Sequence, residues 1–184
     1  LAPAVAFDTP NPAVAGTSTY DDAGIWNGSP ERYNWKLLGK KEILIPASNY
    51  AFLFEKKVED LLGEKFLSPE FVRWEKHRVW VVEGTLKDGL RHLYTKRRMY
   101  VDEDTWVVAA GETYDGKGNL WRVSFAYGAR LYDRKSGAGA TGSYDLLQNI
   151  YNLNCKPIPG KFENGVDKNS KYFTPKGLSR GGVR

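Results

Sequence analysis

Apolar and polar residues alternate along much of the chain between Tyr33 and Gly128, the period of strands that bury one face. The stretch YNWKLLGKKEILIP sets Tyr33, Trp35 and Leu37 on alternate positions, carries a bend signal at Gly39 and stops at Pro46, so it reads as a strand. SNYAFLFE reads as a second one. In FEKKVEDLLG the period changes. Phe54, Val58, Leu61 and Leu62 recur at helical spacing and Gly63 is a stop signal, which predicts a short helix over 54–63 whose apolar stripe caps a sheet. Its short length and mixed-charge polar face do not suit a membrane or partner helix.

From Phe71 to Gly128 the runs FVRWEKHRVWVVEGTL, RHLYTKRRMYV, TWVVAAGETY and NLWRVSFAYG are separated by Asp88-Gly89, Asp102-Glu103-Asp104 and Asp115-Gly116-Lys117-Gly118. Four strands joined by three tight turns make an antiparallel meander. In the last strand Trp121, Val123, Phe125 and Tyr127 face one way, and Leu120, Arg122, Ser124 and Ala126 the other. A two-residue turn at Asp88-Gly89 sets Glu83 opposite Tyr94, Val81 opposite Lys96, Trp80 opposite Arg97 and His77 opposite Tyr100. Lys96, Arg97 and Arg98 then cannot form one patch, because Arg97 points away from the other two. In this register Arg97 lies beside the Trp80 indole, a cation–π pair of about 0.5–1 kcal/mol when exposed, and the cations serve as sheet-face partners for Glu75, Glu83 and the aromatics. Asp102 and Asp104 read as turn residues that accept local backbone hydrogen bonds. Residues 129–143 read as a Gly-rich loop and SYDLLQNIYNL as strand or short helix. The chain divides into an irregular arm over 1–30, a sheet domain over 31–154 and a basic irregular tail over 155–184.

Composition agrees with this pattern. The chain has 184 residues, enough for one domain with a real core, and its 14% aromatic content with 19 Gly and 9 Pro favours a mainly β or α+β fold. The net charge of +5 dissolves on inspection: residues 1–154 hold 20 Lys/Arg and 20 Asp/Glu, and residues 155–184 hold the remaining 27 − 20 = 7 and 22 − 20 = 2. The tail cations are scattered among Gly, Pro, Asn and Ser without a stripe, so nucleic acid is not an expected partner. Cys155 is alone, which excludes an intrachain disulfide, a CxxC pair and a multi-Cys zinc site. No apolar run has the length of a membrane helix. A start at Leu1 without Met is what a processed or excised chain would show.

Motif matches carry little chemistry. Gly137-Ala138-Gly139-Ala140-Thr141-Gly142 fits GxGxxG but follows antiparallel strands and lacks an acid near residue 162. Gly177-Leu178-Ser179-Arg180-Gly181 fits GxSxG, yet no His or acid follows it. His77 and His92 lie far apart along their hairpin and HExxH is absent, so no metal site and no cofactor are expected. Glu75 and His77 share a face, which would allow a base with an orienting acid, but hydrogen-bonded sheet residues are the better explanation of them. The remaining candidate is aromatic: Trp35, Trp74, Trp80, Trp106, Trp121, Val123, Phe125 and Tyr127 could line a curved sheet that holds an apolar ligand. A core sealed by helices fits the same composition.

The string RWEKHRVWVVEGTLKDGLRHLYTKRRMYVDEDTWVVAAGETYDGKGNLWRV, residues 73–123, resembles the bacterial periplasmic proteins grouped as domain of unknown function 1329 and described as outer-membrane lipoprotein-sorting-protein-like. SPERYNWKLLGKKEILIP and YFTPKGLSRGGVR extend the resemblance over about residues 26–184. It implies a lipoprotein-carrier-like fold: a strongly curved antiparallel sheet, or half-open barrel, with one or two short helices over its concave face and a lipid as cargo. It also implies an envelope setting, with a resistance-nodulation-division transporter or outer-membrane protein as partner. The family supplies no catalytic residue. Its members are about twice as long, and this chain resembles their C-terminal half, so a sheet edge is exposed unless the N-terminal half or a second chain covers it. The expectation is a non-enzymatic periplasmic carrier for a hydrophobic or lipid-like ligand. The alternatives are an assembly subunit of an envelope transporter with no ligand of its own and, last, a hydrolase-type enzyme centred on Glu75 and His77.

Overall fold

The computed structural model describes residues 6–12, 16, 18–55, 58–61, 68–132 and 139–151, with 53–54, 58–59, 129–132 and 139–151 described by backbone course alone. Six strands, β1 (Tyr33–Pro46), β2 (Trp74–Leu86), β3 (Lys96–Asp102), β4 (Val108–Tyr114), β5 (Leu120–Tyr132) and β6 (Gly139–Tyr151), form one sheet in the order β1-β2-β3-β4-β5-β6. Every neighbouring pair is antiparallel. The meander read from the turn residues is therefore present, with one more strand at its end. Residues 129–132 and 139–143, expected in a loop, continue the β5–β6 hairpin, and SYDLLQNIY is strand.

The sheet curls. Strand β1 comes within reach of β4 and β5 although both lie several places away in the sheet order. Register irregularities at Leu37/Gly39, Tyr100/Val101, Thr113/Tyr114 and Arg130/Tyr132 add local twist and bending. The concave side collects Ile45, Val79, Val81 and Ala109 into a buried cluster, with Ile43 and Tyr100 packed against it. Val79 and Val81 are essentially inaccessible. Burying four such side chains removes enough apolar area to hold the curl, at about 25 cal/mol per Å².

Two elements differ from the periodicity reading. SNYAFLFE is not a strand but ends in a π turn at Ala51–Glu55, and the described residues of the helix predicted over 54–63 include a short helix, α1, at Val58–Leu61. The reason is tertiary. Asn49 is buried, its backbone N–H donates to Gly128 O (2.9 Å), and its side-chain oxygen accepts from Arg73 N (2.8 Å), which pins the chain across the end of the sheet. From there Phe52, Leu61 and Val72 pack over Tyr127, with Phe71 and Phe125 beside them. The β2–β3 hairpin also departs from the two-residue turn. Asp88-Gly89 does turn the chain, with Gly89 at φ +78, but Lys87–Thr95 forms a longer loop closed by Leu86 N–H to Thr95 O at 2.9 Å. Glu83 lies opposite Arg98 and Trp80 opposite Val101, a slip of four residues from the expected pairing. An even slip preserves which face each side chain takes.

Candidate functional site

The convex side carries a buried ionic knot. Arg97 projects from the middle of β3 and is 1% exposed. Its Nη1 donates to Asp22 (2.7 Å) and its Nη2 to Asp21 (2.8 Å), while Nε donates to the Tyr33 hydroxyl (3.0 Å). Both acids come from the N-terminal arm, which lies across the sheet. Thr19 N–H donates to Asp22 (2.7 Å), as does Tyr94 Oη (2.9 Å), and the Thr19 hydroxyl sits within hydrogen-bond reach of both carboxylates. His92 places Nε2 3.2 Å from Asp21, with its side chain fully buried. Arg122 donates to the Tyr94 hydroxyl and lies over the Trp121 ring at 4.2 Å. Burial alone would raise the Asp21 carboxyl, but the bond to His92 and the field of Arg97 outweigh it and hold it below the usual range. Burial raises the Tyr33 and Tyr94 phenols, so both stay protonated, Tyr33 accepting from Arg97 and Tyr94 donating to Asp22.

The arm approaches the sheet closely enough to forbid a side chain at Gly111, where a Cβ would meet Ile25 at 2.5 Å, while at Gly84 the ring of Trp35 on the neighbouring β1 fills the space at 2.5 Å. Segment 18–28, expected to be irregular, thus contributes Thr19, Asp21, Asp22 and Ile25 to the buried set. The expected Arg97–Trp80 cation–π pair is absent. Lys40 occupies the Trp80 face at 4.1 Å, and Arg97 instead lies over Tyr94 at 4.7 Å. The sequence signal for the knot was a lone mid-strand Arg facing away from its neighbours, with an Asp-Asp pair in a distant arm. Nothing in the chain's periodicity joins the two.

The concave side is polar at both ends of its apolar floor. At one end Arg98 donates to Glu83 (2.6 and 3.1 Å), and Tyr100 and Tyr114 both donate to Glu112 (2.9 and 2.6 Å). Burial, with Glu112 adding to it, pushes the Tyr114 phenol up to about 12. Lys96 lies 3.9 Å over the Tyr114 ring. Glu83 is thus the partner of Arg98, and Arg97 alone of the three cations turns to the convex side. At the other end His77 Nδ1 lies 2.9 Å from Asp102 Oδ1 and His77 Nε2 lies 3.4 Å from Glu75 Oε2. Burial lowers the imidazole, but the two carboxylates prevail and it titrates above its ordinary value. His77 and His92 stand in separate clusters, on opposite sides of the sheet.

The aromatic residues singled out from the sequence divide between these regions. Trp74 and Phe125 meet edge to face at 5.5 Å, Phe125 lies 6.4 Å from Tyr127, and Tyr127 stacks on Phe52 at 4.4 Å. Val123, half-buried and opposite Glu112, continues the same column of β5. Trp35 sits instead with Trp26 and Tyr33 (5.0 and 5.4 Å), and Trp80 lies under Lys40. Trp121 is not on the Val123 face. Thr113 pairs with Arg122 and Tyr114 with Leu120, so Trp121 is the extra residue of a bulge and turns toward Tyr94 (5.7 Å) and Arg122. Trp106 is 71% exposed in the β3–β4 turn, at φ +59. The GxGxxG string falls partly in β6, with Gly139 paired to Tyr132 in the sheet ladder, which is incompatible with a phosphate-cradling loop before a helix. The GxSxG string lies outside the described residues.

The model of the protein of unknown function DUF1329 matches residues 1–179. This chain belongs to the DUF1329 family. It is 40% identical over 187 aligned residues to an uncharacterized protein of Pseudomonas aeruginosa, a match that covers all of this chain and 41% of that protein. The DUF1329 chain described here therefore spans less than half the length of this relative. Among solved structures it is similar to a Vibrio parahaemolyticus domain provisionally assigned to outer membrane lipoprotein sorting (15% identity, TM-score 0.48, covering 95% of this chain and 58% of that one). It is also similar to a DUF1329 family protein from Desulfovibrio piger (14% identity, TM-score 0.43, covering 88% of this chain and 53% of that one). No helix among the described residues is long and apolar enough to cross a membrane.

Proposed function

We propose that this DUF1329 protein is a non-enzymatic binding protein of the bacterial periplasm that shelters a hydrophobic, lipid-like ligand on the concave side of its sheet. The observation that carries the reading is a pair of apolar clusters on the concave side, Ile43, Ile45, Val79, Val81 and Ala109 along the sheet and Phe52, Leu61 and Val72 packed over Phe125 and Tyr127. The overlying side chains come from short turns and α1, not from a strand of the sheet. An acyl chain that displaces them exchanges one apolar contact for another, so the roughly 1.5–3 kcal/mol held by each buried side chain is recovered on binding. The polar groups at the Arg98–Glu83 end of the floor suit the head of an amphiphile. The periplasmic setting rests on the family resemblance.

Delipidated protein titrated with fatty acids and phospholipids tests this, read by native mass spectrometry and by indole emission, since Trp74 touches Phe125. One ligand per chain and a blue shift are expected, both lost in Phe125→Asp with the circular dichroism retained. Absence of binding at every chain length overturns the proposal. A second reading is favoured by β1. It is an edge strand of 14 residues whose Leu37 and Leu44 are 59% and 62% exposed, and among the described residues no strand pairs with its outer side. That edge suits β-strand addition by an envelope-transporter component or by the remainder of a longer chain. Co-purification from envelope extracts that is lost in Leu37→Lys/Leu44→Lys would support it. A solitary monomer in both proteins would dismiss it.

A further inference from the structure

The β3–β4 turn and the middle of β2 bring together a donor set that the lipid-like ligand does not use. Register sets Val79 opposite Asp102, and Glu103 N–H donates to Arg78 O (3.1 Å), which extends the ladder into the turn and leaves His77 beside residues 102–104. One ligand atom each from His77, Asp102 and Asp104 lies within 4.8 Å of the others. We propose that His77 Nδ1, Asp102 Oδ1 and a carboxylate oxygen of Asp104 form a site for one divalent first-row transition metal, of the Zn2+ or Mn2+ kind.

Four features of the geometry support this. The His77 Nδ1 to Asp102 Oδ1 separation of 2.9 Å matches the edge between two adjacent ligands of an octahedral ion bound at about 2.1 Å, which is about 3.0 Å, and opens by about 0.4 Å for a tetrahedral one. The other ring nitrogen, Nε2, faces Glu75 Oε2 at 3.4 Å. A metal-bound imidazole characteristically donates its second N–H to a carboxylate, which fixes the tautomer and leaves the first nitrogen's lone pair for the ion. Glu75 is thus a positioning residue and not a ligand. Asp102, whose side chain is 3% exposed, has its Oδ2 occupied by Thr105 N–H (3.1 Å) and the Thr105 hydroxyl (2.6 Å). Only Oδ1 is left to turn toward His77, so the ligand oxygen is oriented by its own turn. Asp104 is exposed and, among the described residues, neither hydrogen bond nor ion pair engages its carboxylate, which gives the ion a way in and leaves coordination positions for water.

The donor chemistry chooses the metal class. One imidazole and two carboxylates suit Zn2+ or Mn2+, while Ca2+ and Mg2+ are bound by all-oxygen sets. Protons compete with a metal ion for imidazole and carboxylate donors, so binding strengthens as pH rises.

Metal-stripped full-length protein is titrated with ZnCl2 by calorimetry and with MnCl2 by electron paramagnetic resonance, at pH 6.0 and pH 7.5. One equivalent per chain is expected, bound more tightly at the higher pH. Asp104→Asn, an exposed turn substitution that spares the fold, should weaken binding at least tenfold. His77→Gln should abolish it. Glu75→Gln should weaken it roughly 10–100-fold, as loss of an outer carboxylate does, with the stoichiometry unchanged. Glu42→Gln, a surface acid on β1, should change nothing. No saturable binding by the wild-type chain, or equal binding by wild type, Asp104→Asn and His77→Gln, overturns the assignment. Because none of these substitutions lies in the Phe125–Tyr127 cluster, failure here is separable from failure of lipid binding.

Discussion

Asp22→Asn is the most informative single perturbation of the fold. The Asp22 carboxylate receives Arg97 Nη1 at 2.7 Å on one oxygen, and on the other Thr19 N–H at 2.7 Å and Tyr94 Oη at 2.9 Å. The amide keeps the shape and removes the charge. Placed toward Arg97, its NH2 repels the guanidinium; placed the other way, it confronts donors from Thr19 and Tyr94. Either way Arg97, 1% exposed, loses half of its neutralisation where water cannot replace it. Breaking a buried pair by removing one partner costs about 3–5 kcal/mol, which for a chain of this size is a Tm drop of about 6–20 °C. Urea denaturation at pH 7 measures it directly, and a cycle with Arg97→Met measures the coupling, with the double variant less destabilised than the sum of the singles. A loss below about 1 kcal/mol, the size of an exposed ion pair, would refute the claim that the arm is bolted to the sheet through this knot.

Asp21→Asn should flatten the acid limb of stability. The folded carboxyl titrates below its unfolded value of 3.8, so it stabilises above that value and loses the contribution as pH falls through the folded value; chemical denaturation from pH 7 to pH 2.5 checks this. His77 has the opposite sign. Its folded value is raised above 6.5, so metal-free protein should hold the full contribution below pH 6.5 and lose it as pH rises through the folded value, a slope that His77→Gln removes. Gly111→Ala should cost about 1–3 kcal/mol as overpacking, since its methyl would meet Ile25 at 2.5 Å, and the loss should shrink in an Ile25→Ala background. Trp106→Gly should be neutral or stabilising by about 1 kcal/mol, because a left-handed φ of +59 strains any residue with a Cβ; a large loss in urea would show that the exposed indole supports the turn.

Several features of this protein were legible before any coordinates. Alternation in NLWRVSFAYG and the Asp/Gly-rich turns specify strands and their antiparallel order, because a period of two and a short connection are local properties. The opposed direction of Arg97 within KRR followed from the same period. The β2–β3 register did not, since Asp88-Gly89 is a good turn for either pairing and the slip of four that wins leaves every face unchanged. What selects it is long-range: Tyr94 and His92 reach their buried partners only if the loop is longer. The aromatic column Phe125–Tyr127 was found, while Trp35, Trp80 and Trp121 were assigned to it without knowledge of the bulge and the arm that place them elsewhere.

By itself the sequence determined that this chain would be an antiparallel meander, because a period of two and turn chemistry act over neighbouring residues, while the curl entered only through the family resemblance. The three-dimensional structure alone decided that an acidic pair in the arm neutralises Arg97, that Phe52, Leu61 and Val72 pack over Tyr127, and that His77 stands beside Asp102 and Asp104. Those contacts join residues from about 25 to 76 positions apart. At such distances a fluctuating chain carries no preference of its own. The charge and hydrogen-bonding demands of buried groups act only once the sheet has brought them together.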